Sequence, residues 1–285
     1  MKGLLIACMM CVALLANAQC DTINYASFNI RYADGDRKDS VKCWNVRRDR
    51  VAQFVRANWL DIVGCQEVLH EQLLDMQKRL PDYDYEGVGR EDGSQKGEYS
   101  PIFWRKDEWE RLKGGTFWLS ATPDVVASVG WDAALTRIAT YVLLRNRESQ
   151  RELMCINTHF DHVGVQARVE SGRLILEKAK EIAGETPLVL TGDFNVGMES
   201  SVYHSITHDA SFPLLDTYME GAPHSGPYYT FHNFGRIPAE RCSKIDFIFA
   251  SPSIEVLGTS IYQDDRSEHP RHLSDHNPVV AKLRL

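Results

Sequence analysis

The feature that most restricts this chain is a repeated pattern, an apolar strand-like run that stops abruptly on a polar side chain. Leu188-Val-Leu-Thr-Gly-Asp-Phe-Asn195 shows it most clearly. The run ends at Thr191-Gly192 and releases Asp193 and Asn195, two positions apart. Side chains at i and i+2 leave a strand on one side, so a carboxylate and a carboxamide can converge on one point. An earlier strand over 61–65 runs into Gln66-Glu67, and the first strand, 23–30, ends at Asn29-Ile30-Arg31. The C-terminal stretch Leu273-Ser-Asp-His-Asn-Pro278 adds Asp275 and His276. Carboxylates, amides and imidazoles gathered from strand ends suit a hard cation and phosphate chemistry.

Between these strands the spacing predicts helices. Val51, Phe54, Val55 and Trp59 share a face of a helix starting near Val46. Leu69, Leu73, Met76 and Leu80 mark a second helix, stopped by Pro81. A long helix is expected over 165–183 and a short one after Glu199. Further strands are expected near 83–88, 99–105, 109–118, 137–145, 152–158, 228–232, 244–250, 254–263 and 278–285. Many strands with helices falling between them imply two packed sheets flanked by helices. No linker or low-complexity tract interrupts 21–285, which reads as a single domain.

The first residues read differently. Lys2 precedes an apolar run over 4–15, and Ala16-Asn17-Ala18 is a small-residue cleavage site, so 1–18 reads as a secretory signal peptide. The run is too short to span a bilayer, which argues against an integral membrane protein. The expected location is periplasmic or extracellular. Lipid anchoring through Cys20 is disfavoured because Gln19 stands where a small residue is wanted. The formal charge is −7 and becomes one unit more negative without Lys2, a balance not built for loose electrostatic binding to nucleic acid or anionic membranes, although it leaves room for a local basic cleft. Cys65 and Cys155 lie inside apolar strands as buried thiols, and Cys43–Cys242 is the one disulfide left conceivable.

Mg²⁺ or Mn²⁺ would take oxygen ligands, offered as carboxylates by Glu67, Asp193 and Asp275 and as amides by Asn29 and Asn195. His159 and His276 suit hydrogen bonding to phosphate oxygens that gain charge. Asp246, alone among apolar neighbours on its strand, is the candidate to hold an imidazole in its cationic form. Asp193 is the candidate general base, with Asn195 holding the attacking water or a phosphate oxygen. Arg31, Arg137 and Asp161 are candidate substrate contacts, although a surface ion pair explains either arginine equally well. Trp44, Trp118, Trp131 and Tyr228-Tyr229-Thr-Phe231 are read as core and strand aromatics in preference to a stacking rim.

Six segments occur in order: Ser27-Phe-Asn-Ile30, Asp61-Ile-Val-Gly-Cys-Gln-Glu67, Asn157-Thr-His-Phe-Asp161, Thr191-Gly-Asp-Phe-Asn195, Lys244-Ile-Asp-Phe-Ile248 and Ser274-Asp-His-Asn-Pro278. Together they resemble the endonuclease/exonuclease/phosphatase superfamily. The resemblance implies an α/β (α+β) four-layer αββα sandwich of two mixed β-sheets flanked by helices. It also implies Mg²⁺- or Mn²⁺-dependent cleavage of phosphoester bonds at one edge of the sheets. Carried over by position, Glu67 resembles the principal metal ligand, with Asn29 and Asp275 close to the metal. Asp193 and Asn195 resemble the water-activating pair, His276 the phosphate-binding histidine and Asp246 its partner. Asn157-Thr-His159 is similar to branches outside the apurinic-site endonucleases, whose tyrosine near the scissile phosphate has no counterpart found here. The segments Thr116-Phe-Trp-Leu119 and Gly130-Trp-Asp…Arg137 resemble exported bacterial hydrolases of the superfamily.

The expected function is a secreted phosphoesterase, foremost a phosphodiesterase, using in-line attack of activated water. Its partner would be a phosphoester, whether small, lipid-linked or nucleic acid; no stable protein partner is implied. A secreted nuclease of the same fold and a non-catalytic binding module are the alternatives. Glycoside hydrolysis by two carboxylates leaves the amides and histidines unexplained.

Overall fold

The structure, a computed structural model, describes residues 21–220, 223–263 and 272–285. The leader read over 1–18, and Cys20, lie outside the described residues. Two mixed sheets dominate. The first runs β10 (His224–Ser225), β12 (Glu255–Ile261), β13 (Val279–Arg284), β1 (Thr22–Asn29), β2 (Ile62–Gln66), β4 (Ile102–Arg105), β3 (Tyr83–Glu86). The second runs β5 (Trp109–Trp118), β6 (Ile138–Asn146), β7 (Glu152–His159), β8 (Leu188–Asp193), β11 (Asp246–Ala250), β9 (Leu215–Asp216). The β1–β2 and β7–β8 pairs are parallel, and β11 runs antiparallel to β8.

Helices α1 (Trp44–Ala57) and α2 (His70–Arg79) bury Val51, Phe54, Val55, Leu73 and Met76 against Ala26, Phe28, Val63 and Cys65. On the other sheet, α3 (Val165–Ala183) and α4 (Ser201–Thr207) bury Ile175, Ala179, Val202 and Ile206 with Leu188, Leu190, Phe247 and Phe249. The layers are therefore helix, sheet, sheet, helix, the expected αββα sandwich. Alternation along each strand sends the other side chains into the gap between sheets, where Tyr25 and Ile62 meet Cys155, Val189 and Ala250.

Pairing registers turn that gap into layers. Tyr25 aligns with Ile62, Ser27 with Gly64 and Asn29 with Gln66. Across the second sheet, Cys155 aligns with Val189 and Ala250, Asn157 with Thr191 and Ile248, and His159 with Asp193 and Asp246. Going up the sandwich, the filling changes from apolar, through amide and hydroxyl, to charged. In the middle layer Gln66 Nε2 donates to Asn157 Oδ1 at 2.7 Å, and Asn157 Nδ2 donates to the Cys65 carbonyl at 2.7 Å. Gly64 makes room for this staple. A Cβ there would sit 2.4 Å from Thr191 Oγ1 and 2.7 Å from Asn157 Oδ1.

Some expectations need correction. The 228–232 segment is not a strand; Phe231 makes only single bridges to Ser243 and His276. The backbone turns away directly afterwards, because Asn233 and Phe234 both adopt left-handed conformations. Strands β9 and β10 were not legible, each being two residues long. Cys43 and Cys242 are free thiols, so the conceivable disulfide is absent; Cys65 and Cys155 are the expected buried thiols. Trp44 and Trp118 are core residues, whereas Tyr228 is exposed. Among the described residues no helix is long and apolar enough to cross a membrane.

Candidate active site

A cleft of about 520 Å³ opens where the charged layer reaches the sheet edge. Asp193, the last residue of β8, is its hub. Its Oδ2 accepts from Asn29 Nδ2 at 3.0 Å and lies 3.6 Å from His159 Nε2 and 3.7 Å from His276 Nε2. Its Oδ1 accepts the Asn195 backbone N–H at 3.0 Å. Burial, with Asp246 adding to it and His276 opposing, pushes the Asp193 carboxyl up to about 7. A carboxyl poised there can take a proton near neutrality and release it again.

The two imidazoles beside Asp193 are in opposite states. His276 Nδ1 is 2.8 Å from Asp246 Oδ2. Burial works against its proton, but Asp246, Asp193 and Asp275 together lift it to about 10, so this ring is an imidazolium. His159 is held well below the usual histidine range by burial, reinforced by Arg137 and Arg90, so it is neutral. Its Nδ1 lies 3.8 Å from Glu98 Oε2 without a hydrogen bond.

On the facing sheet, Asn29 Nδ2 also donates to Glu67 Oε1 at 3.0 Å, while Glu67 Oε2 accepts from the Tyr32 backbone at 3.0 Å. Arg31 Nη1 sits 3.6 Å from Asp275 and 3.8 Å from Glu67, and its Nε pairs with Asp36 at 3.0 Å. Atoms of Glu67, Asp193 and His276 lie within 4.8 Å of one another, close enough to share a metal ion. Because Asp246 keeps His276 protonated, the oxygens are the better ligands. Burial pushes the Asp275 carboxyl up as it does Asp193, even with the His276 imidazolium and Arg31 beside it, so this crowd of buried carboxylates is under-neutralised. A divalent cation fits that donor set.

The structure adjusts the roles expected of several residues. Asn29 spaces two carboxylates with its amide nitrogen, and its Oδ1 accepts the Arg31 N–H at 3.0 Å. Asn195 does not reach the cleft by strand alternation, since β8 ends at Asp193 and Asn195 is left-handed at φ 51°. Its Nδ2 holds the Phe160 carbonyl at 2.9 Å. Arg31 and Glu67 are likewise left-handed, at φ 61° and 60°, just past the ends of β1 and β2. Such backbone is uncommon for residues other than glycine, and strand periodicity cannot foresee it. Asp161 is placed behind the wall, not in the cleft lining. Its carboxylate accepts N–H groups of Ala134, Leu135, Val163 and Gly164, which hold it well below the usual range against the effect of burial. Arg137 does line the cleft, with Nε 3.3 Å from Asp161.

Sequence reading missed Glu98, Arg90 and Arg47. Glu98 lies in the loop between β3 and β4, and both its oxygens pair with Arg90 at 2.9 and 3.0 Å. Arg47 is 1% exposed and donates to the carbonyls of Lys42, Ile30, Leu273 and Arg31. It thereby ties the end of β1 to the segment bearing Asp275. Nothing in the spacing of α1 marks a buried arginine.

The sequence pattern of the Endonuclease/Exonuclease/phosphatase family matches residues 26–276. An endonuclease/exonuclease/phosphatase from Bacteroides vulgatus is 49% identical, with a TM-score of 0.88 over 93% of this chain and 99% of that one. A mannosyl-6-phosphatase from Bacteroides thetaiotaomicron is 39% identical, with a TM-score of 0.84 over 92% of this chain and 99% of that one. Nocturnin of Drosophila melanogaster is 25% identical over 85% of this chain, which spans 42% of that protein's length.

Proposed function

Since the chain belongs to the Endonuclease/Exonuclease/phosphatase family, we propose that it is a divalent-metal-dependent phosphoric ester hydrolase acting foremost on phosphodiesters. The observation that carries this reading is the Asp193 hub, a buried carboxyl poised near neutrality between an imidazolium and a neutral imidazole. Asp193 orients and deprotonates the attacking water, and the Asn195 Oδ1 is the amide atom left to hold that water. His276 donates from Nε2 to a non-bridging phosphate oxygen as charge builds there, and Asp246 keeps the ring protonated and oriented. Arg31 is within reach of the same oxygens through the mouth of the cleft.

Glu67 and Asp275, with Asn29 between Glu67 and Asp193, would hold Mg²⁺ or Mn²⁺ close to Asp193, and the ion would supply charge neutralisation at the phosphate and leaving oxygens. The site's own residues supply the base and the donors. Export is part of the proposal, supported by Lys2, the apolar run 4–15 and the Ala16-Asn17-Ala18 site.

A second reading, hydrolysis of a sugar phosphate monoester, is favoured by the 39% identity to the mannosyl-6-phosphatase. One panel tests both: bis-p-nitrophenyl phosphate, p-nitrophenyl phosphate and mannose 6-phosphate, with Mg²⁺, Mn²⁺ or EDTA. Chelation is expected to abolish turnover, and Asp193→Asn to lower kcat by about two to three orders of magnitude. Turnover that survives both changes would overturn the proposal.

A further inference from the structure

The wall of the cleft beyond His159 holds donors for which the hydrolytic chemistry has no use. Arg137 is 4% exposed. Its Nε pairs with Asp161 at 3.3 Å and its Nη2 donates to His162 Nδ1 at 3.0 Å. Its remaining nitrogen, Nη1, is buried with no hydrogen-bond partner. Leaving a charged donor unpaired in a buried place is costly, so a site that does so is built for an acceptor that arrives with a ligand.

The neighbouring acids do not fill that need. Glu98 has both oxygens committed to Arg90, and Asp161 spreads its charge over four backbone N–H groups. His162 accepts from Arg137 at Nδ1, which places its own N–H on Nε2. It is exposed and lines the same cleft. A row of polar groups therefore runs from buried Asp193 through His159 and Arg137 to exposed His162. The reacting phosphate belongs at the Asp193 end.

We propose that Arg137 and His162 form a second anion subsite, which binds a phosphate or carboxylate on the part of the substrate that does not react. This rests on the hydrolase reading above and narrows it to phosphoesters carrying a further anionic group. The guanidinium Nη1 and imidazole Nε2 would each donate to that anion, with strength expected of charge-assisted bonds.

The test compares kcat/KM for glucose 1,6-bisphosphate and glucose 6-phosphate in Mg²⁺, for wild type, Arg137→Lys and His162→Ala. The wild type is expected to prefer the bisphosphate by about tenfold or more, and each variant to lose most of that preference. A wild type with no preference, or variants that slow both sugars equally, would overturn the subsite. His162 is at the surface, so its variant carries the test even if Arg137→Lys does not fold. If the wild type cleaves neither sugar, bis-p-nitrophenyl phosphate decides the hydrolase reading by itself: its turnover upholds that reading and its survival overturns it. In that event calorimetric binding of glucose 1,6-bisphosphate decides the subsite: weaker binding by His162→Ala supports it, and equal binding overturns it.

Discussion

The two ends of the gap between the sheets are built from the same strands and differ in almost everything else. At the closed end Tyr25, Ile62, Cys155, Val189 and Ala250 pack as an apolar core. Two pleats further along, Asn29, Gln66, His159, Asp193 and Asp246 occupy equivalent inward positions and are nearly as buried. The closed end owes its stability to removal of apolar surface from water. The open end has ionisable groups that burial drives toward neutrality: His159 yields to it, whereas His276 keeps its charge through its pairing with Asp246. The lesson is that the active end is a continuation of the core on the same strands, its polar residues nearly as buried, so changes there act on chemistry and on stability together.

Asp246→Asn should break the contrast most strongly. Without that carboxylate His276 loses the partner that lifts it to about 10, and kcat/KM is expected to fall about a hundredfold. The alkaline limb of the pH–rate profile should move to lower pH. A histidine raised on folding contributes stability that is full below its unfolded value, roughly 6.5, and is lost as pH rises through the folded value. The variant's deficit in urea unfolding should therefore be largest in acid and vanish above about pH 10. An unshifted profile would show that His276 is not the titrating donor.

Gly64→Ala probes the middle layer, where the filling changes character. The added Cβ would collide with Thr191 and Asn157, and the expected loss is about 1–3 kcal/mol of unfolding free energy. A neutral result would mean the sheets separate there without cost, and the staple through Asn157 would lose its importance.

The smallest effect concerns the metal. Asp193 is raised on folding to about 7. Its contribution to stability is full below the usual carboxylate range and is lost as pH rises through 7. A divalent cation binds the ionised form, so Mg²⁺ should raise the melting midpoint by a few degrees at pH 8 and hardly at pH 5. Equal shifts at both pH values would detach Asp193 from the cation site.

Much of this molecule is legible before folding is considered. The apolar runs in 188–193 and 244–250, and the helical spacing of Val51, Phe54 and Val55, place the strands and α1, because a strand buried on both faces and a helix buried on one demand those patterns. The polar residues at the strand ends, Asn29, Glu67, Asp193 and Asp246, announce themselves by interrupting apolar runs. Asp161 looks equivalent in the sequence, yet its loop turns it toward backbone N–H groups. Arg47 gives no signal at all, since its partners are the nearby Lys42 carbonyl and carbonyls of two other segments, at Ile30 and Arg31 and at Leu273.

Periodicity and polarity along the chain thus determined which residues are delivered to the ends of the strands. Only the tertiary structure decided what each one does there. Left-handed turns at Arg31, Glu67 and Asn195 aim their groups, and the meeting of distant segments settles that His276 is hydrogen-bonded to Asp246 while His159 stands 3.6 Å from Asp193 and 3.8 Å from Glu98. The reason is physical: a side chain's type is local, but its charge state depends on neighbours that folding alone brings within a few ångströms.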